Sequence, residues 1–224
     1  MTSVLAIAGS DSGGFAGLQA DLATIRAHGC HPLSAVTVVT AQDANAIRGT
    51  WDVPPGALAQ QIGVLLAGFK IGAVKVGMLP SAAAVTAVAS ALKDYRGPVV
   101  VDPVLGDSGG GWSLNEEGVA ALRTWLPHVT LVTPNLPELR RLGELARVPR
   151  LVKGGHGEGD MLVDRLFVDG REHWWSHPRL PGRHRGTGCR LASAIACRLA
   201  LGDDLVAAVQ SAIGWLQREL RAER

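Results

Sequence analysis

Val4-Leu5-Ala6-Ile7-Ala8-Gly9-Ser10-Asp11-Ser12-Gly13-Gly14-Phe15-Ala16-Gly17-Leu18-Gln19-Ala20-Asp21-Leu22 passes from an unbroken apolar run, through a glycine-rich loop, into a helical pattern. Consecutive apolar residues stopped by Gly9 read as a strand covered on both faces, since a half-exposed strand would alternate. Such a strand lies centrally in a parallel sheet. After the loop at 9–17, Leu18, Leu22 and Ile25 fall on one face of a helix over 18–26. Glycine loops in this position often hold phosphate or a small ligand. Here there is no Walker lysine and no clean GxGxxG, so the unit decides architecture before chemistry.

The same alternation runs along the chain. Strands are predicted at 35–39, 73–78, 99–104, 129–132 and 151–156. Helices are predicted at 55–68, from a cap at Ser81 to about 93, at 114–125, from the opening 133–138, at 189–201 and from 205 to about 219. Between them, 161–163 and 166–168, split by Asp164-Arg165, read as a small hairpin, with 172–176 as a further strand. Alternating strands and helices predict a three-layer α/β/α sandwich with a mostly parallel sheet. At 224 residues without a compositional break, one domain is expected.

A hydrophobic content of 47% and a charged content of 19% are those of a deep core, not of a disordered chain. The net charge of +2 and the scattering of arginines away from aromatics argue against a nucleic-acid groove. Cys30, Cys189 and Cys197 form no CxxC pair and no Cys/His cluster, so neither a structural disulfide nor zinc is expected. The first apolar run breaks at Gly9, too early for a signal or a membrane span, and a cytoplasmic protein is expected.

Chemistry collects at the carboxyl ends of the predicted strands, where open α/β sheets bind ligands. Gln42 leaves the second strand, and Met78 and Asp102 leave the next two. Asn135 and Glu138, three apart, share one side of a helix start, and Lys153 enters a glycine turn where it can meet a phosphate. Arg185-Gly186-Thr187-Gly188-Cys189-Arg190 joins a glycine turn to a long apolar helix, which provides convergent N–H groups and a positive dipole end for an anion. Cys189 in that field is expected to lean towards thiolate and to serve as a proton acceptor. Each feature also has a plain reading. Gln42 fits a solvated loop amide, Met78 a core filler, Asp102 a turn cap before Pro103, and Cys189 a small buried thiol at a tight helix entry.

Taken in order, Ala6-Ile7-Ala8-Gly9-Ser10-Asp11, Gly17-Leu18-Gln19-Ala20-Asp21, Thr40-Ala41-Gln42, Val76-Gly77-Met78-Leu79, Asp102-Pro103-Val104, the NxxE stretch Asn135-Leu136-Pro137-Glu138, Val152-Lys153-Gly154-Gly155-His156 and Gly186-Thr187-Gly188-Cys189 resemble the hydroxymethylpyrimidine and hydroxymethylpyrimidine phosphate kinases of the thiamine pathway, within the ribokinase-like superfamily. The most specific parts are the first two strings and a cysteine at 189 where most ribokinase-like enzymes carry aspartate. The resemblance covers nearly the whole chain. It implies ATP-dependent phosphorylation of 4-amino-5-hydroxymethyl-2-methylpyrimidine, of its monophosphate, or of both. Gly9, Ala16, Asp21 and Gln42 would meet the pyrimidine, with Met78 and Val104 walling the pocket. Asn135, Lys153 and Thr187 would meet ATP, and Asp102 and Glu138 would organise Mg²⁺. Gly186, Thr187 and Gly188 would form the anion hole, and Cys189 would be the base. The implied partners are small molecules, with a homodimer as the assembly that the fold's relatives commonly form.

The chain departs from that pattern at four places. Phe15 replaces a glycine and is expected to reshape the pocket. Asp43-Ala44 follows Gln42 where Asn-Thr is usual, and Arg185 replaces the histidine before Gly-Thr-Gly-Cys. The 139–150 segment is short enough that a helix flanking the nucleotide site is expected to be missing. Two other readings stand beside the first: a pyridoxal or pyridoxine kinase, and a catalytically reduced sensor that binds a pyrimidine or a nucleotide.

Overall fold

The computed structural model describes residues 1–43, 45–107, 109–145, 147–156, 159–182 and 184–223. The expectation placed on Ala44 therefore lies outside the described residues. Nine strands form one sheet in the order β3-β2-β1-β4-β5-β6-β7-β8-β9. In chain order these are β1 (Ser3–Asp11), β2 (His31–Gln42), β3 (Ile47–Asp52), β4 (Ile71–Val76), β5 (Val99–Val101), β6 (Leu131–Val132), β7 (Arg150–Val152), β8 (Met161–Val168) and β9 (Arg171–Pro178). The six strands from β2 to β7 in that order run parallel, while β3, β8 and β9 pair antiparallel with their neighbours. The mostly parallel three-layer sandwich read from the sequence is the fold.

Alternation along β1 shows why the layers form. Leu5 and Ile7 belong to the core under α2 (Pro55–Gly68), α3 (Ala82–Ala91), α4 (Glu116–Trp125) and α5 (Leu136–Leu142). Val4, Ala6 and Ala8 face the core under α1 (Gly17–Ala27), α6 (Thr187–Ala200) and α7 (Leu205–Ala222). All five are at most 1% exposed. Helix α6 packs on α1, α7, β1, β4 and β5, which is why residues 191–197 are buried without a solvent face. The predicted cap at Ser81 is present, its hydroxyl accepting from the amide of Ala84. No helix among the described residues is long and apolar enough to cross a membrane.

Two expectations need correction. The hairpin does not turn at Asp164-Arg165; β8 runs straight through them, and the turn is Asp169-Gly170, both at positive φ (50° and 72°). Asp-Gly is the usual pair for a two-residue turn of that hand. Asp164 points inward, where it accepts from Gly154 N at 2.8 Å and meets His177 Nε2 at 3.0 Å. Strand β3 was absent from the sequence reading altogether. It is a short edge strand, Ile-Arg-Gly-Thr-Trp-Asp, whose polar, glycine-containing pattern carries little strand signal.

β1 has β2 on one side, reached through α1, and β4 on the other, reached after α2 on the opposite face. The chain thus winds in two directions from β1, which leaves a crevice at the carboxyl ends of β1 and β4.

Candidate active site

A cavity of about 420 Å³ occupies that crevice. Its walls come from the ends of β1, β2 and β4, the turns after β5, β6 and β7, and the start of α6. Gly9, Ala16, Gln42, Met78, Val104, Asp102, Asn135, Glu138, Lys153, Gly186, Thr187, Gly188 and Cys189 all line it. Of the residues expected from the sequence, Asp21 alone is not among them.

The first loop is held open by Asp11, whose carboxylate accepts from the amides of Gly13 (2.7 Å), Phe15 (3.1 Å) and Ala16 (2.8 Å). Phe15 is not among the residues that line the cavity; it is 54% exposed, and its carbonyl stands against Gly186.

At the far wall, Gly186 sits at φ 70° and opens α6, whose N-terminus has no side-chain cap. The amides of Thr187, Gly188 and Cys189 occupy the first positions of the helix, where they have no partner within it and the dipole end is positive. A Cβ on Gly186 would run into the Phe15 carbonyl. Gly186→Ala therefore combines a left-handed strain of about 1–2 kcal/mol with a forced shift of the turn. A displacement of ~1 Å in such a site costs on the order of 100-fold in rate. Steady-state kinetics with a melting curve should show a large loss of turnover at modest loss of stability.

Opposite this turn, Lys153 Nζ donates to Asp102 Oδ1 at 2.6 Å and stands 3.9 Å from Glu138 Oε2. Thr133 Oγ1 donates to the same Asp102 oxygen at 3.2 Å. The NxxE stretch is a capping box. Asn135 Oδ1 accepts from Glu138 N and Glu138 Oε2 accepts from Asn135 N, both at 2.8 Å, which aims Glu138 at Lys153. Burial opposes the charge on Asp102, but Lys153 and Lys75 hold its carboxyl below the ordinary range. Burial raises Glu138 to about 7, only partly offset by Lys153. Lys153 is also buried against its charge, yet Asp102 and Glu138 hold the ammonium above its ordinary value.

The thiolate expected at Cys189 is corrected by its surroundings. Burial pushes this thiol up to about 11, and the nearby Lys75 charge offsets only part of the effect. Burial thus favours the neutral thiol at neutral pH.

Asp21 is likewise corrected. It is fully buried behind the cavity, where Lys75 Nζ donates to both its oxygens at 2.8 and 2.7 Å and Ser193 Oγ donates at 2.8 Å. Ser193 lies one helical turn after Cys189, so the cluster props the start of α6 from beneath. The sequence did carry a signal for it. Lys75 stands inside Ala73-Val74-Lys75-Val76, and a charge within a doubly buried strand requires a partner.

Arg185 precedes the anion turn and also lines the cavity, with its guanidinium held on the residues that end β2. Nη1 donates to the Asp43 carbonyl at 2.7 Å and Nη2 to Gln42 Oε1 at 3.2 Å. In the short 139–150 segment α5 ends at Leu142 and β7 begins at Arg150, with no additional helix among the described residues between them.

An uncapped helix start facing a lysine between two carboxylates, at the switch point of a doubly wound sheet, defines a ribokinase-like phosphotransferase. The sequence profile of phosphomethylpyrimidine kinases matches residues 11–150 and 146–224, and the chain belongs to that family. It is 43% identical over 229 residues to the hydroxymethylpyrimidine/phosphomethylpyrimidine kinase of Streptomyces coelicolor, covering 93% of this chain and 85% of that one. Among solved structures, a phosphomethylpyrimidine kinase from Clostridium difficile 630 superposes with a TM-score of 0.85 at 30% identity, over 98% of this chain and 100% of that one. A pyridoxal kinase from Staphylococcus aureus, solved with AMP-PCP and pyridoxal, gives a TM-score of 0.83 at 26% identity, covering 97% and 87%.

Proposed function

We propose that the chain transfers the γ-phosphoryl group of ATP to the hydroxymethyl oxygen of 4-amino-5-hydroxymethyl-2-methylpyrimidine, to the phosphate of its monophosphate, or to both in turn. The observation that carries this reading is that Gln42, Met78 and Val104 line one and the same cavity as the α6 start and the Asp102–Lys153–Glu138 cluster. A flat heteroaromatic ring against the first wall puts its hydroxymethyl arm towards the second. Phosphoryl transfer asks chiefly for positioning and for stabilisation of charge spread over the transferred oxygens. The amides of α6 and the Lys153 ammonium are placed for that.

Mg²⁺ fits the same corner. Oδ2 of Asp102 and Oε1 of Glu138 take no hydrogen bond among the described residues. No group of three potential His, Cys, Asp or Glu ligands exists among those residues. Two carboxylates are enough for Mg²⁺, which completes its shell with phosphate oxygens and water. Asp102 and Glu138 would hold the ion, which when bound supplies charge neutralisation at the phosphates.

Cys189 is the base of this reading only as thiolate, a minor species at neutral pH given a value of about 11. The active form gains as pH rises towards that value, so kcat/KM for the pyrimidine should climb through pH 7–9 instead of levelling near 7. Cys189→Ala should lower turnover by on the order of 100-fold and remove that climb. Unchanged turnover would exclude Cys189 as base.

The direct test supplies Mg²⁺ and ATP with the hydroxymethylpyrimidine, its monophosphate or pyridoxal, and measures ADP. Release with the pyrimidines supports the proposal. Release with pyridoxal alone would replace it by a pyridoxal kinase, and none with any acceptor would leave a binding protein.

A further inference from the structure

We propose that Arg185 makes this site selective for an aminopyrimidine over the corresponding oxopyrimidine, by fixing which way round the Gln42 carboxamide faces. The inference rests on the pyrimidine kinase reading above and deepens it.

A guanidinium has donors only, so the Gln42 atom 3.2 Å from Arg185 Nη2 must be the acceptor Oε1, not the amide nitrogen. The usual ambiguity of an amide is removed by chemistry. Neither partner is free to drift. Arg185 is anchored a second time through Nη1 on the Asp43 carbonyl at 2.7 Å. The Gln42 backbone is held at both ends by the Ser12 hydroxyl, which donates to its carbonyl and accepts from its amide, each at 3.0 Å. Turning the carboxamide over would set NH₂ against guanidinium, donor facing donor, and would lose a charge-assisted hydrogen bond.

The fixed amide therefore offers the ligand a donor and an acceptor in a set order. Nε2 has no protein partner among the described residues, and Oε1 keeps a second lone pair. A 4-aminopyrimidine edge presents a ring-nitrogen acceptor beside an amino donor, which is the complement. A 4-oxopyrimidine presents a ring N–H donor beside a carbonyl acceptor, which needs the amide reversed. The methyl group and the hydroxymethyl arm are the same in both, so apolar packing on Met78 and Val104 cannot tell them apart.

The test compares kcat/KM for 4-amino-5-hydroxymethyl-2-methylpyrimidine and its 4-oxo analogue in the wild type, Arg185→Met and Arg185→Lys, with melting curves as a folding control. The wild type should prefer the amino compound by on the order of 100-fold or more, as expected for a site whose polar groups are left unpaired by the wrong ligand. Arg185→Met frees the amide to turn, and the ratio should fall by roughly tenfold or more. Arg185→Lys, still donor-only, should retain most of it. A merely structural arginine would slow both substrates alike and leave the ratio unchanged, which would overturn the proposal while leaving the kinase reading intact. A wild type that phosphorylates neither pyrimidine would instead remove the kinase reading, and this inference with it.

Discussion

Asp21→Ala is expected to destabilise the protein by about 3–5 kcal/mol, enough to threaten folding of a domain of ordinary stability. Both Asp21 and Lys75 are fully buried, and the pair is joined by two short hydrogen bonds. Burial works against the charge on Lys75, but the Asp21 carboxylate keeps the ammonium well above its ordinary value. Removing the carboxylate leaves a buried ammonium without the partner that takes its hydrogen bonds, with only the Asp102 charge nearby, the costly way to break such a pair. Removing both charges is different, because the desolvation that opposed the pair disappears with them. Lys75→Met combined with Asp21→Leu should therefore recover most of the loss. Urea melts of the two single variants and the double variant, read as a thermodynamic cycle, measure the coupling. Asp21→Ala with a midpoint close to that of wild type would show that the pair contributes nothing net.

How far this was legible beforehand depended on whether a residue's role is local or spatial. The apolar run Val4–Ala8, the Gly186 turn and the cap at Ser81 are short-range facts, and each stands in the structure as read. Lys153 could be placed at a strand end, but its 2.6 Å contact with Asp102 joins residues 51 positions apart and has no local signature. Asp21 was misassigned for the same reason, since its partners Lys75 and Ser193 lie on other elements, 54 and 172 residues away. Cys189 failed differently. The helix start is where the sequence placed it, but desolvation depends on how deeply α1 and α6 pack together, which no stretch of sequence states. The Asp164 turn was a competition between two aspartates, in which Asp169-Gly170 had the better chemistry and Asp164 had a buried use that only the paired strands reveal.

Lys153→Met is expected to lower turnover by on the order of 1,000-fold, the scale on which a single charge aimed at the transferred phosphoryl group acts. Two effects add. The variant loses the cation that would follow negative charge as it develops, and it leaves Asp102 and Glu138 without the ammonium that stands 2.6 and 3.9 Å from them. Glu138, which burial already raises to about 7, is then pushed further towards its neutral form, because Lys153 is what offsets burial there. Neither effect reaches the Gln42, Met78 and Val104 wall, so KM for the pyrimidine should move little. Arginine should not rescue. Lys153 Nζ is a compact ammonium held 2.6 Å from Asp102 Oδ1 and 3.9 Å from Glu138 Oε2, a placement that a planar guanidinium on a longer fork does not reproduce. Steady-state kinetics of Lys153→Met and Lys153→Arg, with both shown by melting to be folded, decide the matter. Turnover within about tenfold of wild type in the methionine variant would mean that the α6 amides and the bound metal carry the charge without Lys153, and that its bond to Asp102 serves the fold.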